Sequence, residues 1–252
     1  MVKIPSFKEN NRVLLGILYE SINEHDTFTH VRSVFTDKWY NFIVPAVTPD
    51  KFDWALSTKV IENEQKNGFS LSYYVPQPLY SANKSYFTQL GKENESESDF
   101  YVFVKNEHRK KTQGKLVLID VTTLQNFLEM VKVCFPEWEN NETYSRYFYQ
   151  LQNKNTDHLI KNYMYRIGNK DVGFCGYVGS QKQNVAYIHN TGVLPRYRRK
   201  GYFSNMIQLL ANFSVENNIE NSFALVDQDG ASFMALQKLG FETKCKYYLF
   251  DL

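Results

Sequence analysis

The stretch Val193-Leu-Pro-Arg-Tyr-Arg-Arg-Lys-Gly-Tyr-Phe-Ser204 decides how this chain is interpreted. An apolar run at 184–193, typical of a strand, precedes it. Apolar residues at helical spacing then begin within it, namely Phe203, Met206, Ile207, Leu210 and Phe213. The first amides of a helix have no intrahelical partner, and the helix dipole adds partial positive charge at that end. A basic turn that enters a helix therefore predicts a site for phosphate or another anion.

Three consecutive cations and a glycine lie at the end of this turn. Arg198, Arg199 and Lys200 carry full positive charges, and Gly201 lets the backbone come close to a ligand. The spacing fits neither the Walker loop, Gly-x-x-x-x-Gly-Lys-Ser/Thr, nor the dinucleotide motif Gly-x-Gly-x-x-Gly. The alternative is a solvated basic face, which is the usual role of such a cluster.

The turn resembles the pyrophosphate-binding motif of the GCN5-related N-acetyltransferases, the GNAT superfamily, which runs Val-x-Pro-x-x-Arg-x-x-Gly-x-Gly/Ala. Val193, Pro195, Arg198 and Gly201 match this motif in register, whereas Phe203 stands where Gly or Ala is usual. The segment 229–241 likewise resembles the family's Asn-x-x-Ala-x-x-Leu-Tyr-x-x-Leu-Gly-Phe, a helix closed by a glycine.

The remaining elements of the C-terminal half follow the order of the GNAT fold. Thr122 or Thr123 is predicted to cap the first helix, whose apolar stripe runs from residue 124 to 135. The order is β-α-α-β-β-β-α-β-α-β, an α/β fold with a mixed sheet. The other predicted segments are strands at 116–121, 163–167, 173–178, 185–193, 221–226 and 244–252, and a helix at 144–152.

The N-terminal half repeats part of this pattern at a constant offset. Leu90-Gly91 and Leu239-Gly240 lie 149 positions apart, and residues 41–44 match 190–193 at the same distance. We interpret residues 1–113 as a degenerate GNAT-like domain and residues 114–252 as the GNAT acetyltransferase domain, with a polar linker at 105–114. The alternative is chance, because strand-helix-strand patterns are common.

The N-terminal copy lacks the anion motif. Residues 47–52 contain no Arg-x-x-Gly, and Asp50 would repel a phosphate. We therefore expect one cofactor site in each chain. The N-terminal unit would then pack against the second domain, form a dimer contact or line one side of the acceptor pocket.

Composition excludes several other classes of protein. The net charge of +2, from 29 basic and 27 acidic residues, gives no general argument for nucleic acid or a membrane surface. The three cysteines, Cys134, Cys175 and Cys245, are too few and scattered for a disulfide framework or a zinc site. With no apolar run of membrane length and no signal-peptide core, a cytoplasmic monomer or homodimer without metal is expected.

The resemblance also implies a set of cofactor-binding residues for acetyl-CoA. The strand before the basic turn would pair with the pantetheine arm, the turn would hold the pyrophosphate, and the segment after residue 228 would flank the arm. These residues are Val193, Leu194, Pro195, Arg198, Arg199, Lys200, Gly201, Tyr202, Phe203, Ser204, Asp229, Ser232 and Phe233.

The catalytic residues are less defined by the motif. Tyr187, His189 and Thr191 share one face of a strand by its period of two. By resemblance, His189 is a candidate for the base or for orienting a water, and Tyr187 is catalytic or lines the pocket. The alternative for His189 is a histidine buried for packing. Leu236 occupies the position of the family's frequent tyrosine acid, and leucine cannot donate a proton.

Two functions from different classes fit these residues. The first is an N-acetyltransferase that moves an acetyl group from acetyl-CoA to a primary amine of a small molecule or protein. The second is a catalytically weak acyl-CoA-binding or interaction module that retains the fold. A third, nucleic-acid binding through residues 196–200, is disfavoured because the basic patch is short.

Overall fold

The computed structural model of the protein describes residues 6–90, 93–108, 112–136, 138, 140–154, 156–227 and 230–251. For residues 88–90, 93–103 and 251, this description covers the backbone alone. Internal packing divides the chain into two compact units. The first comprises residues 1–101, 226–230 and 243–252, and the second comprises residues 102–225 and 231–242.

The first unit contains a mixed sheet in the strand order β1-β2-β3-β4-β11. Strands β1, β2 and β3 are antiparallel neighbours, β3 and β4 are parallel, and β11 is antiparallel to β4. Two 3-10 turns lie at Arg12–Leu14 and Pro49–Lys51. In chain order, the elements up to the end of β5 are α1 (Phe7–Asn11), β1 (Tyr19–Glu24), β2 (Phe28–Ser33), β3 (Phe42–Pro45), α2 (Trp54–Lys66), β4 (Ser72–Pro76), α3 (Gln77–Ala82), α4 (Lys84–Leu90) and β5 (Glu93–Lys105).

The second unit contains the strand order β6-β7-β8-β9-β10. Strands β6 to β9 are antiparallel neighbours, whereas β9 and β10 are parallel. A 3-10 turn at Pro195–Tyr197 precedes α7. In chain order, the elements that follow β5 are β6 (Lys115–Leu118), α5 (Leu124–Cys134), α6 (Asn141–Gln152), β7 (Leu159–Ile167), β8 (Lys170–Ser180), β9 (Val185–Val193), α7 (Tyr202–Glu216), β10 (Asn221–Asp227), α8 (Ala231–Lys238) and β11 (Glu242–Asp251). All of β11 except its first residue belongs to the first unit.

This element order confirms the predicted β-α-α-β-β-β-α-β-α-β arrangement from β6 to β11. The sequence predicts a threonine cap for α5, and Thr123 does lie at the N-cap position. Its side chain, however, makes no capping hydrogen bond to the helix. The carboxylate of Asp120 instead accepts bonds from the amides of Thr122 and Thr123, at 2.9 and 3.0 Å. The hydroxyls of Thr122 and Thr123 also donate to this carboxylate, and these side-chain bonds, followed by the amide bonds, lower the pKa of Asp120.

The first unit repeats the central motif of the second at the offset seen in the sequence. Strand β3, helix α2 and strand β4 form a parallel strand-helix-strand unit, as β9, α7 and β10 do. Helix α2 begins at Trp54 and α7 at Tyr202, close to the offset of 149 residues. Since both copies build a parallel pair around one helix, the similarity extends to topology.

Two details differ from the predicted organisation. Residues 243–252 pack with the first unit, where β11 pairs with β4 from Tyr247↔Pro76 to Asp251↔Ser72. Within the expected linker, Asn106 is buried and its side chain donates to the carbonyl of Ile219 at 2.9 Å. Residues 109–111 of that linker lie outside the described residues. The division into domains at residues 113 and 114 stays a prediction.

None of the helices described is both long enough and apolar enough to cross a membrane. The apolar side chains instead form compact clusters within each unit. In the second unit, residues of α5 pack against Met164 of β7, Phe174 of β8 and Leu194. This packing places α5 on one face of the sheet, whereas Met206 of α7 lies beside Gly173 on the other face.

The first unit contains a buried histidine close to a buried carboxylate. His30 of β2 is 7% exposed, and its Nε2 atom lies 3.8 Å from Oε1 of Glu64 on α2. Burial, with smaller contributions from His25 and Arg32, lowers the pKa of His30 from 6.5 to about 4. The folded state therefore disfavours protonation of this imidazole.

The stability of the protein should fall in acid because of His30. Between pH 6.5 and about 4, the unfolded chain binds a proton at this imidazole that the folded chain excludes. The free energy of unfolding should thus decrease as the pH falls through this range, and this contribution should be constant above it. Denaturant unfolding across the range measures the effect. His30→Gln should reduce the pH dependence, and an unchanged dependence in that variant would contradict the assignment.

Candidate active site

The parallel strands β9 and β10 pair over only three residues. Their register runs from Asn221↔Val185 to Phe223↔Tyr187, although β9 continues to Val193. Beyond Tyr187 the two strands are no longer paired, so this edge of β9 forms no ladder hydrogen bonds with β10, and we call this gap in the pairing the opening. This opening leads along β9 to the basic turn.

The basic turn ends at the N-terminus of α7, and we call residues 201–204 there the cradle. The first bond within the helix runs from the amide of Asn205 to the carbonyl of Gly201, at 3.1 Å. Among the described residues, no hydrogen bond accepts from the amides of Tyr202, Phe203 or Ser204. Gly201 has φ +76° and no heavy atom within 4 Å of the position that a Cβ would take. The cradle is therefore open, and its backbone conformation favours glycine.

The cations of the turn differ in their surroundings. Arg196 and Lys200 lie over the ring of Tyr197, at 5.0 and 5.8 Å from its centroid. Arg199 has the left-handed φ of +62°, and its side chain is exposed. The turn thus presents positive charge next to the free amides of α7.

Arg198 also has a structural role in the turn. Its Nε donates to the carbonyl of Val193 at 3.0 Å, which ties the turn to the end of β9. The Cys134 thiol of α5 lies beside the same guanidinium: burial raises the pKa of the thiol, and Arg198 offsets part of that rise. Leu194 is engaged as well, since its amide donates to Val172 at 3.0 Å and its carbonyl accepts from Tyr197 at 2.8 Å.

The remaining predicted cofactor residues lie around these elements. Pro195 begins the 3-10 turn and is exposed, whereas Tyr202, Phe203 and Ser204 are half-buried in the first turn of α7. Ser232 and Phe233 are half-buried on α8. Asp229 lies outside the described residues.

Helix α8 ends as the sequence predicts, but it carries no proton donor at the expected position. Gly240 has φ +89°, and the amide of Phe241 donates back to the carbonyl of Leu236 at 3.1 Å. Leu236 itself is 1% exposed and is part of the core. The position of the family's tyrosine is therefore a packing position in this chain.

Strand β9 contains a bulge that changes which side chains share a face. Its register with β8 shifts between Phe174↔Gly192 and Gly176↔His189, so one β8 residue faces both Asn190 and Thr191. Asn190 has φ +45° and donates through Nδ2 to Ser145 Oγ of α6 at 2.9 Å. Its side chain therefore points to the α6 face. The prediction that Thr191 shares this face with His189 is wrong, because the extra residue reverses the alternation.

His189 lies between the sheet and α6. Its ring packs directly over Gly176, where an added Cβ would clash with the imidazole. The ring centroid lies 4.2 Å from that of Phe148 and 5.3 Å from that of Tyr187, whose ring is parallel to it. The Tyr144 hydroxyl is 3.3 Å from Nδ1, whereas the buried Nε2 has no hydrogen-bond partner among the described residues.

Burial lowers the pKa of His189 from 6.5 to about 3. The imidazole is consequently neutral at physiological pH, and it is 5% exposed. Tyr187, at 7% exposed, lines the same aromatic cluster on its Phe223 side, with ring centroids 5.0 Å apart. Both predicted catalytic side chains thus lie within packed surroundings beside the opening in the sheet.

In the described part of the chain, the side chains of His, Cys, Asp and Glu form no group of three or more that could hold a metal ion. The three cysteines are buried and not bonded to each other. The polar groups that converge at this site are instead backbone amides, cations and neutral hydrogen-bonding side chains.

Comparisons with known proteins identify this arrangement. Residues 124–241 match the family model described as Acetyltransferase (GNAT) family, so this part of the chain is a domain of that family. No significant match was found among curated proteins.

Solved structures share the fold at low sequence identity. A functionally unknown conserved protein from Staphylococcus epidermidis has a TM-score of 0.66 at 13% identity, with 96% of each chain covered. A GCN5-related N-acetyltransferase from Sphaerobacter thermophilus has a TM-score of 0.64 at 15% identity, covering 97% of this chain and 84% of that one. A tandem GNAT protein from the clavulanic acid biosynthesis pathway has a TM-score of 0.57 at 11% identity, covering 100% and 89%.

The likeness to a tandem GNAT protein extends over both units of the chain. The predicted fold class, a GNAT fold preceded by a second GNAT-like unit, is confirmed. The free amides of α7 and the unpaired end of β9 lie in the part of the chain that the family model matches.

Proposed function

We propose that the protein is an N-acetyltransferase that uses acetyl-CoA to acetylate a primary amine of a small molecule or a protein. The observation that carries this proposal is the open cradle of amides at residues 202–204. It follows a basic turn at the end of β9, whose last residues pair with β8 but not with β10. A pyrophosphate fits such a cradle because the amides donate to its oxygens and the cations neutralise its charge. A cytoplasmic location, a monomeric or homodimeric state and one cofactor site per chain are part of the same proposal.

The residues of the cradle fit the diphosphate of CoA in charge and in space. Arg199 and Lys200 would supply charge, Gly201 would allow close approach, and Ser204 would add a hydroxyl. The unpaired end of β9 would hold the pantetheine arm through backbone hydrogen bonds. Acetyl-CoA supplies an acetyl group activated as a thioester.

A second function is favoured by one specific observation. Leu236, in the position of the family's tyrosine, is buried in the core and cannot protonate a leaving thiolate. A general acid contributes roughly 10²–10⁴-fold to the rate of a reaction that depends on it. The chain could therefore be an acyl-CoA-binding module with weak activity. Release of free thiol from acetyl-CoA in the presence of a panel of primary amines separates the two functions, because a binding module binds CoA without amine-dependent release.

Binding of CoA should depend on Arg198 and Gly201. Arg198→Ala removes a guanidinium that also holds the turn to Val193, and it should weaken CoA binding by about 1.5–3 kcal/mol, the range for charge-assisted hydrogen bonds. Gly201→Val should weaken binding too, because a branched side chain disfavours the left-handed φ of +76°. Calorimetry with CoA measures both effects and should give one equivalent per chain.

Arg196→Ala is the matched control for charge, since Arg196 lies over Tyr197 in the same turn but outside the motif. Unchanged affinity in both Arg198→Ala and Gly201→Val would remove the assignment of the cofactor site. Two equivalents of CoA per chain would contradict the single site.

For His189 we propose a positioning role through the Tyr144 hydroxyl, which is 3.3 Å from Nδ1. A pKa of about 3 keeps the imidazole neutral but makes it a weak proton acceptor, since effective bases have a pKa near the working pH. His189 would then orient a water that takes the amine proton. Tyr187 would line the pocket beside it.

Substitutions at this pair should affect turnover more than CoA binding. His189→Ala should lower kcat by about 10²-fold at neutral pH, within the usual range for groups that assist proton transfer. Tyr144→Phe removes the hydroxyl but keeps the ring, so it should lower kcat with little loss of stability. Steady-state kinetics and thermal unfolding measure the two effects. A His189→Ala variant that unfolds at lower temperature yet turns over normally would show that His189 serves packing alone.

A further inference from the structure

Asn190 combines two unfavourable features in one residue. Its φ of +45° lies in the left-handed region, which asparagine enters more readily than other non-glycine residues but which is unusual within a strand. Its Oδ1 atom is buried and has no hydrogen-bond partner among the described residues. Strain and an unpaired buried acceptor are both unfavourable for folding, so their coincidence points to a function for this side chain.

One hydrogen bond fixes the orientation of the side-chain amide of Asn190. Nδ2 donates to Ser145 Oγ at 2.9 Å, and Ser145 is fully buried on α6. Because the nitrogen is held by this bond, the carbonyl oxygen remains as an acceptor with two free lone pairs. The side chain is therefore prepared to accept a hydrogen bond from a group outside the described protein.

The location of Asn190 makes that group a ligand of the site. The pairing of β9 with β10 ends at Tyr187, and Asn190 lies three residues further along β9 in the unpaired part. The bulge turns its side chain to the same face as His189. Val193, where the basic turn begins, follows three residues later.

A second asparagine with a left-handed φ provides a contrast. Asn184, with φ +54°, lies in the turn before β9, and its Oδ1 accepts from the amide of Glu220 at 2.6 Å. Its conformation and its acceptor both serve the local fold. At Asn190 the same left-handed conformation lies within a strand, and Oδ1 accepts no hydrogen bond from any described residue.

We propose that Asn190 Oδ1 accepts a hydrogen bond from an N–H of the acceptor amine and positions its nitrogen for attack on the thioester. This inference rests on the proposed function and names the class of acceptor as an amine with an N–H besides the proton it loses. The nitrogen forms a bond to the acetyl carbon, the carbon–sulfur bond breaks, and the sulfur leaves as the CoA thiolate. The amine proton passes to water, and the thiolate takes up a proton from water, so the products are an amide and free CoA.

Asn190→Gly tests the proposal because glycine adopts a left-handed φ without strain and thus keeps the bulge. The probe is a panel of spermidine, tryptamine, glucosamine and lysine, assayed by CoA thiol release. With the amine that wild type uses best, kcat/KM for the amine should fall about tenfold or more, the scale of one lost hydrogen bond. Acetyl-CoA affinity by calorimetry should remain within about twofold of wild type.

Asn184→Gly is the matched control, since it makes the same change at a left-handed position outside the site. Equal kcat/KM in Asn190→Gly and wild type would overturn the proposal, as would equal losses in Asn190→Gly and Asn184→Gly. A wild-type chain that binds acetyl-CoA but releases no CoA with any of the four amines would also overturn it. That result would overturn the proposed acetyltransferase function as well, whereas equal kcat/KM in Asn190→Gly and wild type would overturn the role of Asn190 alone.

Discussion

The short parallel pairing of β9 and β10 is the constraint on which the candidate site depends. Three residue pairs, ending at Phe223↔Tyr187, hold the strands together, and the rest of β9 runs on without this neighbour. Unpaired strand backbone is unfavourable in a protein interior unless a ligand or water satisfies it. The same strand leads into the turn whose Arg198 bonds back to Val193, so the opening and the cradle are held by one continuous segment. A cofactor with a polar arm and a diphosphate end suits this segment.

Helix α6 determines the chemistry on the other side of β9. Its residues Tyr144, Ser145 and Phe148 contact His189 and Asn190, and the bulge in β9 brings both side chains to this helix. The result is a neutral environment, because burial holds the pKa of His189 far below its ordinary value. A neutral, hydrogen-bonding pocket suits an amine that must lose its charge before it can act as a nucleophile, whereas full charges are confined to the basic turn.

Much of the fold could be predicted from the sequence because its signals are local. The apolar stripe of α7, the positive φ at Gly201 and the glycine at the end of α8 depend on residues a few positions apart. The offset of 149 residues revealed the parallel β3-α2-β4 unit for the same reason, since both copies repeat local patterns. The pairing of β11 with β4 could not be predicted, because the two strands lie far apart in the sequence and no local pattern encodes a long-range pairing.

The candidate site also has one part that follows from the local sequence and another that depends on the tertiary structure. The sequence by itself determined the position of the cradle, since a basic turn before a helix places charge and free amides together wherever the chain folds. Only the tertiary structure decided that Thr191 leaves the face of His189, because one extra residue in β9 reverses the strand's alternation. It likewise decided that His189 is neutral, since the pKa of an imidazole depends on the side chains of α6 and β8 that enclose it. The candidate motif residues depend on local backbone geometry, whereas the candidate catalytic side chains depend on surroundings that distant segments supply.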